Sequence, residues 1–505
     1  MANTLYDTLF GQYQGKTTPF LQMANGTIIT HCEFLELASQ YAHQFCEMGL
    51  QPGDRVAVQI EKSPQALAVY ASCVQAGLVF LPLNTAYTAN EVSYFVENSG
   101  ARVLLCDSKR VDGLEPMAKS TGALLETMNA NGMGSFNTKA AENPIEFTPV
   151  SRTADDLAAF LYTSGTTGRS KGAMLTQGNL LSNCQVLVKE WEFTSKDTLL
   201  HALPIFHTHG LFVATNVSLL AGGKVLFLPK FDLDLILELM SEATTMMGVP
   251  TFYTRLLDDP RFTREAAGHM RLFVSGSAPL LSETHVQFQE RTGHRILERY
   301  GMTETNMITS NPYNGERRAG TVGFPLPGVE IKITDSSTGV ELAQGEIGDI
   351  EVRGPNVFKG YWQMPEKTAE ELRENGFFIT GDLGRIGEDG YLSIVGRNKD
   401  LIISGGYNIY PKEIELLLDE KEGVLESAVI GVPHPDFGET VVAILVPENN
   451  AYLDLDTIAD DIKLSLARFK HPQRILTLPE LPRNTMGKVQ KKELREQYKN
   501  MFAIA

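Results

Sequence analysis

Residues 162–172, Tyr-Thr-Ser-Gly-Thr-Thr-Gly-Arg-Ser-Lys-Gly, bring together the donors that a polyphosphate needs. Gly165, Gly168 and Gly172 let the backbone bend and turn its N–H groups onto an anion. Thr163, Ser164, Thr166, Thr167 and Ser170 add hydroxyls, and Arg169 and Lys171 add positive charge. A Walker A loop requires Gly directly before Lys-Ser/Thr, whereas Ser170 precedes Lys171 here and Gly172 follows it. Five further places carry chemistry. His207-Thr208-His209 offers two imidazoles, but no carboxylate or thiol stands near in sequence to complete a metal site. Asp382, after Thr380-Gly381, either presents two acceptors to vicinal hydroxyls or closes an Asx turn. Glu304 is a hard oxygen donor or a turn cap, and Lys488 is a charge stabiliser or one more solvated cation beside Lys491 and Lys492. Arg255 lies in the apolar run 246–257, where a cation is costly unless paired. Its partner is Asp258 or Asp259 next door, or the carboxylate of a ligand held by the guanidinium fork.

The surrounding pattern supplies elements to hold these groups. Residues 157–162 read as a buried strand before the Gly-rich loop, and residues 177–190 as a helix after it. From about residue 50 to 300, short apolar runs (56–60, 79–83, 103–106, 199–203, 225–228, 272–274) alternate with helical segments (64–76, 211–220, 233–243). That alternation predicts α/β layers with mainly parallel sheets and ligands at the carboxyl ends of strands. Residues 328–395 change to short strands and Gly-rich turns, which predicts an antiparallel or β-barrel-like subdomain. After residue 400 a small α+β domain is expected, with helices at 411–419 and 456–466 and strands at 424–432 and 440–446.

Composition narrows the function classes. The chain has 505 residues, 43% of them hydrophobic, which suits two or three soluble domains. A formal charge of −17 disfavours nucleic acid and anionic membrane as partners, so an anionic substrate must be gathered by local cations. Five scattered cysteines at no metal-like spacing, with no secretory leader, suit reduced thiols in the cytoplasm. No segment approaches the roughly 18 apolar residues of a membrane span.

Several segments line up in order with the Gly-rich loop: Pro204-Ile205-Phe206-His207, Ser275-Gly276-Ser277-Ala278-Pro279, Tyr300-Gly301-Met302-Thr303-Glu304, Thr380-Gly381-Asp382, residues 396–400 and residues 482–488. End to end, the chain resembles the AMP-forming acyl-CoA synthetases of the adenylate-forming superfamily. It is most similar to their malonate–CoA ligases in residues 207–212, 248–257 and 302–307. The resemblance implies a large N-terminal α/β domain, 1–399, and a small mobile C-terminal domain, 400–505, hinged near Asp400. It implies ATP, Mg2+ and coenzyme A, with malonate activated as malonyl-AMP and methylmalonate a weaker substrate.

Carried over by position, Thr163 to Lys171 would hold phosphates, Ser277, Ala278 and Tyr300 to Thr303 the adenine, and Asp382 with Arg397 the ribose. Tyr300 would stack on the base, or sit as an ordinary core tyrosine. Glu304 would hold the metal, Lys488 the α-phosphate and the substrate carboxylate, and His207 would gate the acyl and pantetheine tunnels. Thr208, Ser277 and Met307 would line the acyl pocket, with Arg255 on the distal carboxylate. Ser404-Gly405-Gly406-Tyr407 would face coenzyme A. A lysine acyltransferase acting on Lys488 would be a regulatory partner. A ligase for another carboxylate, transfer to a carrier protein, and a regulator that only binds nucleotide remain as alternatives.

Overall fold

A computed structural model describes residues 2–163, 170–404, 407–484 and 487–502. Two large sheets dominate the first four hundred residues. One runs Leu124–Thr127, Val103–Cys106, Arg55–Gln59, Val79–Pro82, Leu157–Thr163, Lys171–Thr176, parallel until its last pair. The other has nine strands, with Leu297–Met302, Leu272–Ser275, Thr245–Gly248, Thr198–His201 and Lys224–Phe227 as its parallel centre. Both faces of these strands are covered, so they read as continuous apolar runs. A shared core joins the sheets, with Val56 and Val58 of one and Leu199, Met246 and Val274 of the other in one buried cluster.

Local rules place the covering helices. Pro64–Ala76 starts at Ser63, whose hydroxyl accepts from Ala66 N, has Pro at its first turn, and stops at Gly77 with φ of 69°. Gln177–Glu190 opens with a capping box between Thr176 and Asn179. Both fall where the sequence puts them.

Two elements differ from expectation. The Gly-rich loop does not lead straight to a helix. A further strand, Lys171–Thr176, stands before helix Gln177–Glu190 and pairs antiparallel with Leu157–Thr163. The helix expected near 211–220 begins as a π-helix, His209–Thr215, and becomes α-helical only over Asn216–Ala221. A Cβ on Gly210 would lie 2.0 Å from Pro204 O, so the chain there passes too close for any side chain.

Residues 330–397 form an open four-stranded antiparallel sheet, the antiparallel form of the two that the turn-rich texture allows. From Ile402 a five-stranded mixed sheet follows, centred on the long hairpin Val424–His434 with Gly438–Pro447 and flanked by helices Pro411–Asp419 and Leu455–Ser465. Among the described residues, no helix is long and apolar enough to cross a membrane.

Candidate active site

Parallel strands of both large sheets end in one region. Leu157–Thr163 delivers Thr163, Thr198–His201 leads into Pro204-Ile205-Phe206-His207, and Leu272–Ser275 leads into Gly276-Ser277. Leu297–Met302 carries Arg299 and Tyr300 and leads to Glu304. Thr163 Oγ1 donates to Glu304 Oε1 at 3.3 Å, and Tyr361 Oη lies 3.0 Å from the same oxygen. Burial raises the Glu304 carboxyl above its usual range. A hydroxyl and a carboxylate side by side suit Mg2+, which takes few protein oxygens and completes its shell with water and phosphate. The paired imidazoles of 207 and 209 carry no such set: no group of three or more His, Cys, Asp or Glu is placed for a metal among the described residues.

Asp382 and Arg397 stand opposite each other across two antiparallel strands, with Arg397 Nε 3.1 Å from Asp382 Oδ1. Tyr300 Oη donates to Asp382 Oδ2 at 2.6 Å, while its ring packs among Ile308, Ile333 and Ile350. The tyrosine is therefore a core side chain that also fixes the carboxylate. Lys488 closes this side, within electrostatic reach of Arg397 and Asp382. Burial first, then Arg397, pulls its amine down to about 8. The preceding Gly487 has φ of 73°, and a Cβ there would lie 3.4 Å from Thr251 Oγ1 of helix Pro250–Leu257.

The acyl side holds an unexpected cation. Arg299 is 4% exposed, and its Nε and Nη2 have no hydrogen-bond partner among the described residues. Burial without a counter-charge pulls its guanidinium down to about 9. The same charge, second to burial, lowers both His207 (to about 4) and His209, which keeps them neutral. A Cβ on Gly276 would fall 2.4 Å from Arg299 Cζ, so the glycine makes room for the guanidinium. Thr208 Oγ1, His209 Nε2 and Ser275 Oγ are likewise buried without partners. Ser277 holds a left-handed φ of 72° and sets its Oγ 3.2 Å from His209 Nδ1. Met307 is buried beside Gly301.

Three expectations need correction or relocation. Arg255 is exposed: helix Pro250–Leu257 turns Phe252, Tyr253 and Leu256 inward and leaves Arg255 outside, its guanidinium 5.5 Å from the Phe231 ring centroid. Neither local acid pairs with it among the described residues, and Asp259 is held by Arg261. The burial argument belongs to Arg299 instead. The sequence hid it, because Glu298 stands next to Arg299 and reads as its partner. Lys171, expected beside phosphate, has its Nζ 3.0 Å from both oxygens of Glu371 and 4.1 Å from the Tyr361 ring centroid. Ser404 and Tyr407 lie on a surface hairpin of the C-terminal sheet, with Tyr407 57% exposed and stacked on Phe469.

Ser164, Gly165, Thr166, Thr167, Gly168 and Arg169, with Gly405 and Gly406, lie outside the described residues. Ser170 accepts at its carbonyl from Tyr94 Oη at 3.0 Å. Gly301, Met302 and Thr303 sit half-buried at the strand end, and Ala278 half-buried beside Ser277. Asp400 ends a short 3-10 turn and pairs with Arg495 at 2.8 Å.

Beside residues 204–206, the strap leading to His207, opens a cavity of about 170 Å3. Its walls are mostly apolar, from Val58, Phe80, Leu83 and Phe206, with Lys62 set among them.

Known proteins match this arrangement closely. The AMP-binding enzyme family matches residues 12–362, and its C-terminal domain residues 413–488. A malonate–CoA ligase of Arabidopsis thaliana is 35% identical over 99% of this chain and 88% of its own. The ATP-bound crystal structure of MatB from Rhodopseudomonas palustris is 55% identical, with a TM-score of 0.98 covering 99% of this chain and 100% of that one. Its apo form, at the same coverage, superposes with a TM-score of 0.86, so this chain is arranged more like the ATP-bound form.

Proposed function

The chain belongs to the AMP-binding enzyme family, and from that membership we propose that it joins malonate to coenzyme A in two steps through malonyl-AMP. A malonate oxygen attacks the α-phosphorus of ATP, and the bond to the β-phosphate oxygen breaks to release pyrophosphate. The thiol sulfur of coenzyme A then attacks the malonyl carbonyl carbon, and the bond to the AMP oxygen breaks. An anion attacking a polyanion needs charge neutralisation and alignment more than it needs a protein nucleophile.

The residues divide that work. Asp382, braced by Tyr300 and Arg397, takes the ribose hydroxyls. Ser277, Ala278 and the residues 301–303 line the base, and the Gly-rich loop takes the phosphates. Thr163 and Glu304 would hold Mg2+, which when bound neutralises phosphate charge. Lys488 donates to the α-phosphate and the attacking carboxylate as charge builds there. The pantetheine arm enters by the cavity beside residues 204–206, and His207 separates it from the acyl site. For the second step the C-terminal domain turns about Asp400, bringing the hairpin of Ser404 and Tyr407 to coenzyme A and taking Lys488 away. Thr208 and Met307 set how much C2 substitution is tolerated, so methylmalonate reacts more slowly. The five cysteines are all unpaired, which suits the cytoplasm, and an acyltransferase modifying Lys488 would silence the first step.

The single observation that carries malonate is Arg299, a buried guanidinium with unused donors at the acyl site. A second carboxylate satisfies it. Acetate or a fatty acid leaves it unpaired, and a site built this way rejects the lacking analogue by about 10⁴-fold. The test is pyrophosphate release with ATP, Mg2+ and coenzyme A against malonate, methylmalonate, succinate, acetate and octanoate. Malonate should dominate; a monocarboxylate profile would keep the ligase and sink the diacid pocket.

A further inference from the structure

The cavity beside residues 204–206 carries an amine that the two steps above leave idle. Lys62 follows strand Arg55–Gln59 and is 9% exposed. Its Nζ lies 2.9 Å from His201 O, 3.0 Å from His201 Nδ1, and 4.3 Å from the Phe227 ring centroid. The other imidazole nitrogen fixes the protons in this contact. His201 Nε2 is 2.9 Å from the Gly210 carbonyl, which only accepts, so Nε2 carries the hydrogen. Burial keeps His201 neutral, and Nδ1 is then an acceptor. A neutral amine has two N–H bonds. Two of the amine's three free positions face His201, which leaves one for a partner in the cavity that Lys62 lines. Burial also pulls the Lys62 amine well below the usual lysine range, which favours this neutral form.

We propose that Lys62 is the proton acceptor for the thiol of coenzyme A in the second half-reaction, a role that rests on the ligase reading and on this cavity as the thiol's passage. The thiol gives its proton to Lys62 Nζ. The thiolate attacks the malonyl carbonyl carbon, the C–S bond forms, and the C–O bond to AMP breaks with its electrons leaving on the phosphate. The new ammonium keeps its two contacts to His201 and lies over the face of Phe227. Its proton returns to solvent at the cavity mouth, where Glu61 and Lys230 are exposed. An ordinary lysine, with a pKa of about 10.4, is protonated near pH 7 and accepts nothing, whereas a thiol of about 8.5 needs a base in its own range. The groups facing Nζ hold it below the usual lysine range: an imidazole, an aromatic face and apolar wall, with the charges of Glu61 and Lys230 out at the mouth.

The experiment separates the half-reactions in the full-length chain. Malonate-dependent ATP–pyrophosphate exchange without coenzyme A reads the first, and single-turnover transfer from enzyme-bound malonyl-AMP to coenzyme A reads the second. Lys62→Met and Lys62→Arg are compared with the parent. Arg keeps donors and charge over Phe227 but accepts no proton. The ratio of transfer to exchange should fall about 10²-fold in both variants, within the range that general-base catalysis contributes. The parent's loss of transfer rate toward acid pH should be absent from both. Transfer retained in Lys62→Arg would overturn the proposal in favour of a charge or packing role, and so would a parallel fall of both half-reactions. If Lys62→Met does not fold, Lys62→Arg alone decides. A parent without malonate-dependent exchange would instead remove the ligase reading itself.

Discussion

A guanidinium buried without a counter-ion is a standing cost, and Arg299 bears it where the second carboxylate of a diacid would sit. Charge-assisted hydrogen bonds contribute about 1.5–3 kcal/mol each, so Arg299→Met should lower kcat/KM for malonate by roughly 10²-fold or more. Acetate should be affected far less, and a substrate panel on the variant reads the difference. Arg299→Lys should not restore malonate, because a point charge does not reproduce the planar fork. Lys488 gives a prediction in pH. Its amine, held at about 8, must be protonated to stabilise the α-phosphate, and the protonated fraction falls as pH rises through that value. Exchange should therefore decline on the alkaline side, from about 8 upward, since bound phosphates raise the amine's pKa further. Lys488→Arg should abolish that limb while lowering the rate, as pyrophosphate exchange from pH 6 to 10 would record.

At the level of elements, two glycines make opposite demands. A methyl at Gly276 meets the movable end of Arg299, with Cζ at 2.4 Å. Gly276→Ala should thus shift the guanidinium and raise KM for malonate several-fold, with a stability loss of no more than about 1–3 kcal/mol. A methyl at Gly210 meets the backbone oxygen of Pro204 at 2.0 Å, and neither partner can yield. Gly210→Ala should disrupt the start of the π-helix and the strap before His207, and denaturant unfolding should show the larger loss. This π-helix was not legible in the sequence: residues 211–220 carry an ordinary helical pattern, and the carbonyl of Gly210 is taken by His201 from a distant strand.

Across the whole molecule, the described arrangement has Lys488 beside Asp382 and Arg397, and Asp400 tied to Arg495. On the hinge proposed above, that ion pair would favour the arrangement suited to adenylation. A half-exposed pair contributes about 0.2–1 kcal/mol, so Arg495→Met should slow exchange about two- to fivefold and spare transfer to coenzyme A. Equal slowing of both would argue against a hinge at Asp400.

The sequence alone determined the order of elements and the α/β layering, because period and turn signals are local properties of a chain, while the partnership of Asp382 with Arg397 came from the family resemblance. Helices 64–76, 177–190 and 411–419 fall where the pattern of the chain puts them. Which cation is buried was beyond its reach. Arg255 lies in an apolar run and Arg299 beside Glu298, and only the turn of a helix exposes one while a central strand buries the other. Tertiary structure likewise decided that Lys171 pairs with Glu371, two hundred residues away, and that Lys62 Nζ lies against His201. Burial and long-range pairing depend on which surfaces the sheets bring together, and no window of sequence contains that information.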